Sequence, residues 1–196
     1  MSIKKIIRNI YIFIGVKLNL IPKHKGCVVL FTGLPCSGKT TIARGVLNNL
    51  KSKGKRAEML DGDKFRKEFN NDLSFTPEDI HINMNRLSFV SKKLAKNNII
   101  VLASFVSPFK IDREKIKSET VNFIEIHVAC SQEKCEDRDT KGMWKKARAG
   151  EIKNFIGIDI DYENPEHPDE ILFTEIDSLV YNTKKVIDTL KEKKII

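Results

Sequence analysis

Gly33-Leu34-Pro35-Cys36-Ser37-Gly38-Lys39-Thr40 constrains the fold of this chain more than any other feature, because it matches G-x-x-x-x-G-K-[ST] and lies between two segments of opposite periodicity. Before it, Cys27-Val28-Val29-Leu30-Phe31 is continuously apolar, the pattern of a strand buried on both faces of a parallel sheet. After it, Thr40 to Leu50 carries Ile42, Val46, Leu47 and Leu50 at helical spacing, with Gly54 as a stop signal. In such a strand–loop–helix the glycines let backbone N–H groups turn inward around phosphate oxygens, and the helix adds its positive dipole end. The eight residues, with Thr41 beside them, are therefore the candidate ATP-binding set. Lys39 is expected to bridge the β- and γ-phosphates, and the Thr40 hydroxyl to ligate Mg²⁺.

The strand–helix alternation continues. Short strands are expected at Ala57–Leu60, Ile99–Phe105, Phe123–Val128 and Ile171–Phe173, with helices at Phe65–Asn70 and Pro77–Asn97. This is an α/β chain, a three-layer P-loop NTPase fold with a parallel sheet and helices on both faces, whose ligands belong at the carboxyl ends of the strands. The third strand ends Ala103-Ser104-Phe105, without the terminal Asp that normally serves magnesium there. Asp61 and Asp63, at the end of the second strand, are the obvious source of the missing carboxylate. A carboxylate in that position can hold the metal, and another can accept or orient an attacking hydroxyl.

At 196 residues the chain fits one compact domain, too small for the large motor ATPases and helicases that share this loop. Its 35 Lys+Arg against 26 Asp+Glu favour anionic partners, but no aromatic signature of RNA binding is interleaved with the basic runs, so nucleic acid is not expected. Cys27, Cys36, Cys130 and Cys135 have neither zinc-ribbon nor C-x-x-C spacing and read as reduced thiols of a cytoplasmic protein. Residues 1–25 form an extension in which Ile6 to Val16 is apolar and flanked by Lys4, Lys5, Arg8 and Lys17. That run is shorter than the ~20 residues of a bilayer span. It reads as an amphipathic helix packed on the domain or on a second subunit, and residues 1–22 are the one place where a peripheral membrane contact could arise.

Four segments together resemble the adenylylsulfate (APS) kinase family. They are the phosphate loop, Leu60-Asp61-Gly62-Asp63-Lys64-Phe65-Arg66, Ser104-Phe105-Val106-Ser107-Pro108-Phe109, and Lys141-Gly142-Met143-Trp144 running on to Phe155-Ile156-Gly157-Ile158-Asp159. The resemblance covers roughly Gly26 to Leu172. It implies ATP-dependent phosphorylation of the 3′-hydroxyl of adenylylsulfate, with Asp63 as base, Asp61 holding Mg²⁺ with Thr40, and the two assignments exchangeable. It also implies acceptor contacts from Arg66, Phe75, Asn83, Asn154 and Phe155, backbone contacts from Val106 and Ser107, and Arg138 stacked on the ATP adenine. The resemblance allows Ser107 a phosphoserine role as well, but no base adjoins it in sequence, so in-line transfer with Ser107 as a contact is expected.

Lys141 to Asp161, rich in Lys, Arg and Gly with little core pattern, reads as a mobile basic lid on a kinase domain of residues 26–196. It would bring Lys141 and Arg148 over the phosphates. Homodimers are common among relatives, so a homodimer is expected. One position departs from the family pattern Asp-Arg-x-x-Asn: the arginine beside the acceptor base is Ile80 here. The departure opens an alternative acceptor, a related nucleotide such as cytidine diphosphoramidate used in surface-polymer modification.

Overall fold

A computed structural model describes residues 24–196, so the helix expected in the N-terminal extension falls outside the described residues. Five strands, β1 (Cys27–Thr32), β2 (Ala57–Asp61), β3 (Ile100–Ser104), β4 (Phe123–Ala129) and β5 (Glu170–Phe173), form one sheet in the order β2-β3-β1-β4-β5. All four pairings are parallel. Strand β1 is thus central, and the loop that follows it opens at the middle of the sheet's carboxyl edge.

The alternation of β1 shows why a continuous apolar run was needed. Cys27, Val29 and Phe31 face one core, whereas Val28 and Leu30 face the other. The first core is closed by α1 (Lys39–Ser52) through Ile42, Val46 and Leu50 and by α7 (Leu179–Glu192) through Val186, Ile187 and Leu190. The second is closed by α2 (Gly62–Phe69) through Phe65, by α3 (Pro77–Lys96) through Met84 and Leu87, and by α4 (Lys110–Glu119) through Ile116. Helices therefore cover both faces, as the strand pattern requires.

Two short helices, α5 (Gln132–Asp137) and α6 (Met143–Arg148), lie between β4 and β5. Here the sequence-based expectation needs correction, because the 141–161 segment has a core of its own. Trp144 is 1% exposed and clusters with Cys135, Ala147 and Phe155, against Leu34 and Cys36 of the phosphate loop. Trp144 Nε1 donates to Pro35 O at 3.4 Å. The Phe155 ring meets Trp144 edge-on, centroids 4.9 Å apart. Gly157, at φ +97°, lies so near that an added Cβ would stand 2.6 Å from the indole. One large aromatic surrounded by scattered apolar residues buries a surface that leaves no periodic trace in the chain.

Helix α2 also starts earlier than expected. Asp61 caps it by accepting from Lys64 N at 3.3 Å, so Gly62 and Asp63 form its first turn. The carboxylate pair at the end of β2 is therefore one cap and one helical residue, with different partners.

Candidate active site

The phosphate loop leaves β1 at Gly33, where a Cβ would come within 2.5 Å of Val128 O, so only glycine fits between the two strands. Ser37 N donates back to Leu34 O at 3.1 Å and closes the turn. Helix α1 then begins without any side-chain cap, leaving its first N–H groups directed at the loop's hollow. Lys39 is buried, and its ammonium donates to Gly33 O at 2.9 Å and Leu34 O at 2.7 Å. Burial pulls its pKa down to about 8 against the opposing charges of Asp63 and Asp61.

Thr40 Oγ1 donates to Asp61 Oδ2 at 2.9 Å and lies 3.1 Å from Ser104 Oγ. The register explains the meeting, since Asp61 pairs with Ser104 across β2 and β3, and Phe31 with Ser104 across β1 and β3. Ser104 thus occupies the strand end where a metal-binding Asp would ordinarily stand, a residue that sequence reasoning passed over although it had marked the missing acid. These are hard oxygen donors in one cluster, a set that suits Mg²⁺ completed by phosphate oxygens and water.

Asp63 pairs with Lys141, which raises the Lys141 pKa chiefly through that hydrogen bond. Of the expected catalytic set Lys39, Asp61, Asp63, Lys141 and Ser107, the first four are thereby brought to one end of the sheet. Asp139, unread in the sequence, builds the turn that carries Lys141: its carboxylate accepts from Met143 N at 3.0 Å and Trp144 N at 2.7 Å. Arg148 is held by Glu136 at 2.6 Å on α5, so the structure gives it a partner other than a phosphate.

On the acceptor side, the Arg66 guanidinium lies 4.3 Å over the half-exposed Phe75 ring and donates to Ser74 O at 2.6 Å. Buried Asn83 accepts from Asn70 Nδ2 at 2.6 Å. Val106 O accepts from Thr32 Oγ1 at 2.6 Å, and Ser107 adopts φ +47°. Ser107 Oγ is buried against Met84 Sδ at 3.5 Å, and among the described residues no carboxylate or imidazole is bonded to it that would activate it as a nucleophile. Phe155 and its neighbour Asn154, at φ +57°, belong to the Trp144 segment. Arg138 is fastened to Thr174 through Oγ1 at 3.1 Å and the carbonyl at 2.7 Å, and Thr174 Oγ1 in turn donates to Ser37 O at 2.9 Å. The candidate adenine-stacking arginine therefore hangs beside the phosphate loop.

Ile80 is only 3% exposed and belongs to the apolar cluster of Phe65, Met84, Leu87 and Phe105, with Ile160 at its edge. The side chain at the position that departs from the family pattern is thus packed into the core.

A phosphate cradle after the central strand, with an ion-paired carboxylate facing it across the carboxyl edge, defines the class: this is a P-loop kinase. The family model for adenylylsulphate kinase matches residues 25–173. The chain belongs to the adenylylsulphate kinase family. It is 48% identical over 170 residues to the adenylyl-sulfate kinase of Halothermothrix orenii, covering 87% of this chain and 92% of that one. It is 43% identical over 175 residues to the adenylyl-sulfate kinase of Staphylococcus carnosus, covering 88% of each. Among solved structures, the Mycobacterium tuberculosis APS kinase CysC in complex with AMPPNP and APS superposes with a TM-score of 0.81 at 39% identity, covering 87% of this chain and 99% of that one.

Proposed function

We propose that this chain transfers the γ-phosphoryl group of ATP to the 3′-hydroxyl of adenylylsulfate, giving 3′-phosphoadenylylsulfate and ADP. The observation that carries this reading is the meeting, at one sheet edge, of the Lys39 cradle, the Thr40–Asp61 oxygen pair and the Asp63–Lys141 pair. The names of the relatives above favour the adenylyl acceptor over the cytidine alternative.

In the reaction the acceptor oxygen forms a bond to the γ-phosphorus as the bond to the β–γ bridging oxygen breaks. Asp63 orients the hydroxyl and takes its proton. Lys39 and Lys141 hold the charge that spreads over the transferring oxygens, and the uncapped N-terminus of α1 adds its N–H groups. Thr40 and Asp61 are the residues that would hold Mg²⁺, which neutralises phosphate charge when bound. Arg66 and Phe75 offer a stacking platform for the acceptor base, and Arg138 one for the adenine of ATP. The 141–161 segment acts as a lid that excludes water through Trp144 and its cluster, on a single kinase domain of residues 26–196. A homodimer and a cytoplasmic setting complete the proposal. The latter fits four free thiols, and the former is measurable by sedimentation.

The test is a panel assay with labelled ATP, Mg²⁺ and adenylylsulfate, AMP or a cytidine diphosphate derivative as acceptor. Label should move to adenylylsulfate in preference to the others. Saturating adenylylsulfate without turnover would overturn the reading.

A further inference from the structure

Arg113 lies in the first turns of α4, is 3% exposed, and is marked by no motif. Its guanidinium donates through Nη1 to Ser107 O at 2.7 Å and Pro108 O at 3.1 Å, and through Nη2 to Glu163 O at 2.7 Å. Nε stands 2.9 Å from Glu125 Oε1, an ion pair whose geometry falls short of a hydrogen bond. One buried cation therefore gathers carbonyls from two segments 50 or more residues apart and is neutralised by a carboxylate on β4.

The two segments are the acceptor-side turn Val106–Pro108 and the pair Tyr162–Glu163, which follows the 141–161 segment directly. They are joined elsewhere as well. Glu163 N donates to Pro108 O at 3.0 Å, and the Glu163 carboxylate accepts from Lys110 N at 2.5 Å. Thr32 Oγ1 spends its proton on Val106 O, so the Tyr162 hydroxyl, 2.9 Å away, is the donor to Thr32. The turn needs such support, because Ser107 sits in the left-handed region that an L-residue rarely occupies unaided.

We propose that Arg113 is a positioning residue for the phosphoryl acceptor: it fixes the Val106–Pro108 turn and ties it to Tyr162–Glu163, so that the acceptor's seat and the lid's trailing end are set by one buried guanidinium. The inference rests on the reading of Val106 and Ser107 as acceptor contacts. Arginine is required rather than lysine, since only a planar fork reaches carbonyls on both sides at once.

The experiment compares wild-type protein with Arg113→Lys, the paired Arg113→Met/Glu125→Met, and Tyr162→Phe, measuring kcat, KM for ATP, KM for adenylylsulfate and the melting temperature. The expected result is a KM for adenylylsulfate raised about tenfold or more in Arg113→Lys, with KM for ATP within about twofold of wild type. Tyr162→Phe should move in the same direction by less. A merely structural arginine would lower the melting temperature and kcat while leaving both KM values together. That pattern, or an unchanged acceptor KM in folded Arg113→Lys, overturns the inference, and the Lys and Phe variants decide it should the paired variant not fold. Wild-type protein that fails to phosphorylate adenylylsulfate overturns the proposed function and this inference with it, whereas active wild type beside unaffected variants overturns the inference alone.

Discussion

Asp63 and Lys141 form an ion pair across 78 positions of sequence, one on the first turn of α2 and the other just ahead of α6. The pair joins the candidate base to the segment that carries Trp144, so the position of that segment and the orientation of the carboxylate are linked. Both side chains are largely exposed, 65% for Lys141 and 76% for Asp63, so the pair adds little to stability. Its value lies in placement.

Asp63→Asn should therefore lower kcat by about 10²–10⁴-fold, the range for removing a general base, while ATP affinity changes little. Steady-state kinetics with separate ATP titration would check this. An unchanged kcat would remove Asp63 from the chemistry and pass the role to Asp61.

Lys39 gives a pH dependence whose sign follows from burial. Its pKa falls from 10.5 to about 8 in the folded protein, so between those values the folded state binds fewer protons than the unfolded one. Stability of the nucleotide-free protein should accordingly rise with pH across that window. Nucleotide binding should show the opposite trend, weakening as pH passes about 8, because only the ammonium pairs with phosphate. Calorimetric titration at several pH values would show the slope, and Lys39→Met should abolish both trends.

Ile80→Arg would place an unpaired guanidinium among Phe65, Met84, Leu87 and Phe105, at a cost of about 3 kcal/mol or more. The expected outcome is a lower melting temperature without better use of adenylylsulfate. Higher kcat/KM at unchanged stability would show instead that position 80 opens onto the acceptor.

Trp144→Ala should cost its cluster about 3–5 kcal/mol. The loss is local, since Trp144 packs with Cys135, Ala147 and Phe155 rather than with either sheet core. Limited proteolysis should cut within residues 141–161 well before global melting, and ATP hydrolysis without acceptor should increase.

The reach of the sequence can be judged residue by residue. The β1–loop–α1 unit was legible because its motif and both periodicities are local, and Thr40 with Asp61 could be paired because the motif demanded a metal partner. Ser104 escaped because a hydroxyl at a strand end carries no signal of its own, although the absent acid pointed at the position. The start of α2 was misplaced because Asp61-Gly62-Asp63 looks like a turn until Asp61 is seen accepting from Lys64 N. Trp144, Arg113 and Tyr162 were opaque for one physical reason. Each has a partner far away in the chain, Pro35 at a separation of 109, Glu163 at 50 and Thr32 at 130, and such contacts leave no spacing to read, while nearer partners such as Ser107 and Pro108 of Arg113 follow no regular period.

Trp144 is the sole tryptophan of the chain, and its indole N–H points at a carbonyl of the phosphate loop. Indole emission from this protein, excited apart from its three tyrosines, thus comes from a single buried, hydrogen-bonded fluorophore packed against the phosphate loop. Stopped-flow optics on unlabelled protein should be able to time nucleotide arrival and departure directly.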